Sequence, residues 1–440
     1  VPLFLLDDET PGRWRPGGAS RWWLHRSLAA LDAALERCGL RLLLRRGPAA
    51  EAIPALAREC GAAAVHWNRQ YEPWAVARDR ALKPALRAIG VAAESFNAEM
   101  LHEPWTVATG AGRPFQVFTP YWRAVQAMPD PPAPLPVPTD MQTGSHGLPG
   151  ERLADWALTP TAPDWAAGFT AAWQPGEGGA RAALAAFIDG AAAEYRDGRD
   201  RPDRTGTSRL SPHLHFGEIG PRQIRRALAM AAAAGQLPEA EAQGFLREIA
   251  WRDFNRSLLF HNPQMAERNL KPEFDRFPWR EDRAALRAWQ TGRTGYPIVD
   301  AGLRELWQTG WMHNRVRMIA ASFLVKHLLL PWQAGADWFW DTLVDADLAN
   351  NAANWQWVAG SGADAAPYFR IFNPVIQGER FDPDGAYVRR WVPDLAQVPA
   401  KAVHRPWTLP GGVRGYPEPM VDHAAARARA LAAYAETRGG

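Results

Sequence analysis

Five prolines, Pro131, Pro132, Pro134, Pro136 and Pro138, divide this chain of 440 residues into two stretches that follow different periodicities. The run cannot be helical, because each ring fixes φ and removes an N–H. It reads as a linker lying over the surface. Before it, Val1–Asp8, Arg41–Arg45 and Ala62–Trp67 read as strands, and Trp22–Cys38, Ala49–Cys60 and Pro73–Ile89 as helices. That alternation is the rhythm of an open parallel sheet. Val1–Asp8 has the pattern of a buried strand already under way, so residues upstream of Val1 are expected.

After about Glu177 strand signals nearly vanish. Ala180–Tyr195, Pro221–Ala234, Glu241–Phe260, Arg283–Gln290, Pro297–Thr309, His313–Leu330, Ala334–Leu343 and Ala424–Thr437 all carry helical spacing. The chain exceeds the size at which one core stops growing. The expectation is therefore α/β plus all-α: an open parallel-sheet (Rossmann-like) domain over 1–128, a linker over 129–175 and a helical domain over 176–440.

A charge of +3 and a pI near 9.0 permit nucleic-acid binding through a local patch without requiring it. Cys38 and Cys60 are the only cysteines, which suits a reducing, cytoplasmic setting and excludes a cluster needing four thiolates. No stretch has the apolar length of a membrane span. There is no GxxxxGK[ST] loop, and Gly360-Ser361-Gly362 is a GxG only. The 22 Trp against 8 Tyr suggest aromatic binding or electron transfer, although many indoles serve simply as core.

Four segments gather polar chemistry. Asp345–Trp357, DADLANNAANWQW, sets two acids and several amides beside two indoles. Acids so close need donors or a cation, and the mixture suits a bound heteroaromatic group, with a capped, solvated loop running into a core helix as the plainer reading. Thr205–Ser211, TGTSRLS, reads as a phosphate-binding or N-capping loop. In Phe245–Arg256, FLREIAWRDFNR, helical spacing puts Glu248, Trp251, Arg252 and Asn255 on one face, with an intrahelical Glu248–Arg252 pair as the plainer reading. In Trp311–Met318, WMHNRVRM, Asn314, Arg317 and Met318 share a face from which Arg315 points away. There Asn314 suits a base edge and Arg315 a phosphate, or His313 and Asn314 cap a helix. His313 has no partner at metal spacing, so no metal site is expected.

TGTSRLS, REIAWRDF, TGYPIVDAGLRELWQTGWMHNRVRMIAASFLVKHLL, DADLANNAANWQW and DAAPYFRIFNPVIQGERFDPDGAYVRRWVP together resemble the cryptochrome/photolyase family. The likeness covers nearly the whole helical half and, more weakly, the α/β half. It is greatest to bacterial class III cyclobutane pyrimidine dimer photolyases.

The resemblance implies light-driven repair of cyclobutane pyrimidine dimers in DNA with FAD as cofactor. It makes Tyr195, Thr207, Ser208, Arg209, Leu210, Ser211, Phe245, Arg252, Arg317, Asp345, Asp347 and Asn351 the FAD-binding set. Plant photoreceptors of the family carry Asp at the place of Asn351. The resemblance makes Glu248, Trp251, Asn314, Met318 and Trp357 the lesion pocket, where relatives acting on the pyrimidine–pyrimidone product carry histidines in place of Asn314 and Met318. Trp355, Trp332 and Trp279 become an electron-transfer chain, and Arg199, Arg315 and Arg370 contacts to the DNA backbone. An antenna chromophore, methenyltetrahydrofolate or a deazaflavin, is implied with its identity open, since Arg113 in GAGRPFQVFTP stands where some folate binders carry an acid. The family's opening strand and helix are not found in residues 1–128. The implied state is a monomer, with a cryptochrome-type blue-light photoreceptor as the alternative.

Overall fold

The computed structural model describes residues 1–138, 141, 147–365 and 369–439. Ala366, Pro367 and Tyr368 of the DAAPYFR motif, and 139–140 and 142–146 of the expected linker, lie outside the described residues.

The first half alternates as its periodicity predicts through β1 (Leu3–Leu6), α1 (Gly18–Glu36), β2 (Leu43–Arg46), α2 (Ala49–Glu59), β3 (Ala64–Asn68) and α3 (Pro73–Ala88); β4 (Ala92–Phe96) and α4 (Phe118–Gln126) follow, neither of them singled out from the sequence. Both strand pairs are parallel. Leu3 lies opposite Leu43 in one sheet, and Ala64 opposite Ala92 in the other. The open sheet is thus present as two separate two-stranded sheets. The opening strand is shorter than Val1–Asp8 and mostly half-buried, and β3 alternates between exposed and half-buried residues. Such ribbons are marginal alone. Helices supply what they lack: Leu24 and Leu28 of α1 pack on Leu6, Leu42 and Leu44, while Leu82 and Leu86 of α3 pack on Val91 and Ala93.

The proline run does lie on the surface, with Leu135 and Val137 exposed. The residues after it do not. Trp156, Leu158, Ala166 and Phe169 are buried, and Phe169 meets Trp22 of α1 edge-on at 5.3 Å and packs with Val344. Large apolar side chains make this stretch a staple between the halves instead of a free linker.

The helical half is built around the Glu239–His261 helix, whose residues 252–259 are buried without a break. A helix covered on all sides that carries Arg252, Asp253, Asn255 and Arg256 needs a partner for each polar group. Beside it lies the Leu348–Ala359 helix, which Asp347 caps by accepting the Asn350 N–H at 2.9 Å and Gly360 ends at φ +103°. The expected His313–Leu330 helix is interrupted. It is α over Asn314–Ser322 and a π-turn over Phe323–His327, where buried Lys326 donates to the Arg370 carbonyl and His327 meets the His423 ring at 2.9 Å. Wider turns of this kind re-aim side chains at special sites.

Candidate functional site

Four segments far apart in sequence converge on one cavity of about 820 Å³. The long helix presents Phe245, Glu248, Trp251, Arg252 and Asn255; the Asn314–Ser322 helix presents Asn314, Arg315, Arg317 and Met318. The acidic segment contributes Asp345, Asp347, Asn350, Asn351, Asn354, Trp355 and Trp357, and the hydroxyl loop Ser208, Leu210 and Ser211.

Burial grades the lining. Asp345, Asp347, Arg252, Leu210, Phe245 and Trp355 are buried, whereas Glu248, Trp251, Met318 and Trp357 are half-buried and Asn314 is exposed. The cavity thus has a polar floor and a rim dominated by two indoles.

Each acid of the floor has its cation. Asp345 accepts from Arg317 at 2.8 Å and from the Ser211 hydroxyl at 2.6 Å. Asp347 accepts from Arg256 at 2.6 Å. Burial pushes Asp347 toward the neutral form, but Arg256, Arg252 and His215 outweigh it and hold the carboxyl well below the usual range. Arg256 also lies 3.4 Å from Glu99, whose burial drives it up to about 7. Arg252 donates to the main-chain carbonyls of Leu214, at 3.0 Å, and Glu99; burial lowers it to about 10. Asn351 donates from Nδ2 to the Ala336 carbonyl at 2.9 Å, which leaves its own oxygen without a protein donor among the described residues.

The intrahelical Glu248–Arg252 pair does not form. Glu248 accepts from Arg199 at 2.8 Å, since Arg252 is drawn toward the carbonyls. Arg315 is not turned away from the cavity; it lines it while donating to Asp200 at 2.6 Å. Two of the three arginines expected at the DNA backbone are therefore already paired with acids. Arg370 is exposed and lines a smaller cavity of about 220 Å³ behind Trp357.

Several expected FAD ligands stand outside the lining. Tyr195 is buried edge-on to Phe245 at 5.1 Å and supports the wall from behind. Thr207 is half-buried and off the cavity. Arg209 points away, its guanidinium held between the rings of Trp173 (4.2 Å) and Trp311 (4.8 Å). Its φ of +53° turns it outward between Ser208 and Leu210, which face in. Trp332 and Trp279 also lie off the cavity. They pack in the same core as Trp355, whose ring neighbours are Phe339 at 5.1 Å and Trp289 at 6.2 Å.

The structure adds residues the sequence did not single out. Phe118 stacks on Trp251 with centroids 3.6 Å apart, and Thr119, His215 and Asp364 join the lining. Phe118 and Thr119 belong to α4, so helical periodicity in the second half carried no signal of them. His215 follows the hydroxyl loop closely enough to have been found.

The cavity suits a large flat cofactor. Its volume lies within the range of sites that enclose a whole ligand. Buried aromatics at one side and amides with both donors and acceptors at the other match a heteroaromatic ring with polar edges. His215 adds a buried Nδ1 without a hydrogen-bond partner.

Residues 1–139 match the family model described as DNA photolyase, and 245–436 the FAD binding domain of DNA photolyase. A deoxyribodipyrimidine photo-lyase of Agrobacterium fabrum is 51% identical over 431 residues, covering 96% of this chain and 90% of that one. Cryptochrome-1 of Arabidopsis thaliana is 39% identical over 449 residues, covering 98% of this chain and 65% of that one. The crystal structure of a bacterial class III photolyase from Agrobacterium tumefaciens superposes with a TM-score of 0.96 at 49% identity, over 100% of this chain and 92% of that one.

Proposed function

Because the chain belongs to the photolyase/cryptochrome family, we propose that it repairs cyclobutane pyrimidine dimers in DNA, using light absorbed by FAD. One observation carries this reading: a single cavity with a buried polar floor and a half-open rim walled by Trp251 and Trp357. FAD, when bound and reduced, supplies the light-driven electron that opens the cyclobutane ring.

The protein's own part is to bind, orient and keep dry. Asp345 paired with Arg317 and Asp347 paired with Arg256 form the floor, with Arg252 beside them, and Asn351 offers a carbonyl oxygen to an N–H at the ring edge. Ser208, Leu210 and Ser211 close one side. At the rim, Trp251, Trp357 and Met318 give apolar contact to a thymine pair, and Asn314 pairs with a base edge. Photolyases are among the enzymes known to extrude their target from the duplex, and a recessed cavity needs such a movement. Glu248, held in place by Arg199, is set at the rim to engage a thymine carbonyl. Arg315 and Arg370 hold phosphates without reading sequence. Trp355, Trp332 and Trp279 carry electrons between the surface and oxidised cofactor.

The test is a gel shift in the dark on an oligonucleotide holding one thymine dimer, followed by blue light. Retention selective for the dimer, with intact thymines recovered only after illumination, is expected. Binding without recovered thymines would place the chain with the photoreceptors instead.

A further inference from the structure

The two indoles at the rim come from different helices, and one residue reaches both. Trp357 donates from Nε1 to the main-chain carbonyl of Asp364 at 3.1 Å. The Asp364 carboxylate accepts the N–H of Phe118 at 3.1 Å. The Phe118 ring in turn lies flat on Trp251, 9° from parallel. Asp364 stands at φ +50°, in the left-handed region that most side chains avoid and Asp and Asn tolerate. It also lines the cavity. Its two contacts give it a structural task there: the carbonyl fixes one wall and the carboxylate, through the first turn of α4, fixes the other.

We propose that Asp364 is a positioning residue that sets the gap between Trp251 and Trp357, and that this gap selects a fused thymine pair over ordinary bases. The proposal rests on the repair reading above. The physical basis is the steepness of contact attraction. A wall displaced by roughly half an ångström to one ångström forfeits a quarter to a half of its dispersion energy. Arg315 and Arg370 act on any backbone, so moving the walls should cost discrimination and spare general DNA affinity.

The experiment uses the flavin-loaded protein with Asp364→Ala and Asp364→Asn. Dark affinity is measured by fluorescence anisotropy for one oligonucleotide with and without the dimer, and flavin content by absorbance. Asn keeps both the acceptor and the left-handed backbone; Ala loses the acceptor and strains the backbone. Expected is a loss of about tenfold or more in dimer affinity for Asp364→Ala. Undamaged-DNA affinity and flavin content should not change, and Asp364→Asn should restore most of the loss. Should Asp364→Ala fail to fold, Phe118→Leu decides by the same readouts. Wild-type discrimination in the deciding variant, or equal losses on both DNAs, would overturn the proposal alone. A wild-type chain that does not prefer the dimer would overturn the repair reading as well.

Discussion

Glu248 stands half-buried on the cavity wall with Arg199 donating to it, and Arg315 beyond it is tied to Asp200. Arginines expected to meet phosphate are therefore compensated before DNA arrives, which leaves exposed Arg370 as the freest of the three. Glu248→Ala is expected to lower thymines restored per absorbed photon about tenfold, the scale of one hydrogen bond to a charged group. The flavin-to-protein ratio should stay as in the wild type, because Glu248 belongs to the rim. An unchanged yield would remove it from the mechanism. The face shared by Glu248, Trp251, Arg252 and Asn255 was legible, because helical spacing alone fixes it. The outward turn of Arg209 was not. It depends on one positive φ and on two tryptophans distant in sequence.

The helices were legible as elements because their stripes are long: Arg283–Gln290 and Pro297–Thr309 run as their periodicity predicts. The π-turn in Phe323–His327 was invisible, since the apolar run reads as uninterrupted helix. Packing between the Trp332–Thr342 and Leu348–Ala359 helices decides where Trp355 lies. A Cβ at Gly335 would come within 2.1 Å of the Trp355 ring, so only glycine lets the indole cross there. That close seat makes Trp355 the member of the expected electron chain that reaches the cavity, with Trp332 and Trp279 behind it in the same core. Trp355→Phe should abolish light-driven reduction of oxidised flavin and leave repair by chemically reduced enzyme intact. Flavin absorbance under illumination reads the first and dimer reversal the second; normal flavin reduction would break the chain at its first step.

Across the whole molecule the halves are joined by charge as well as by apolar contact. Glu99, from the α/β half, faces Arg256 of the long helix, while Asp253 takes the Leu101 N–H at 2.7 Å. Burial raises Glu99 from 4.5 to about 7 and Asp253 from 3.8 to about 6. Folded protein thus holds protons that the unfolded chain has already lost, so this stabilisation is full below the unfolded values and fades as pH rises through about 6 to 7. Asp347 has the opposite sign: its contribution is present above 3.8 and is lost only in stronger acid. Thermal melts of wild type and Glu99→Gln should nearly coincide near pH 4.5, with the wild type falling behind as pH approaches 7.5. A gap independent of pH would remove Glu99 from the linkage. The order of residues was enough to specify the two periodicities, the family and the helix faces that carry the chemistry, because spacing along one element needs no other element to define it. Packing in three dimensions was required to show that the parallel strands form two small sheets, that α4 backs Trp251, and which acid each arginine meets. Those pairings join residues far apart in the chain, and burial in a shared interior selects among partners that the sequence leaves equivalent.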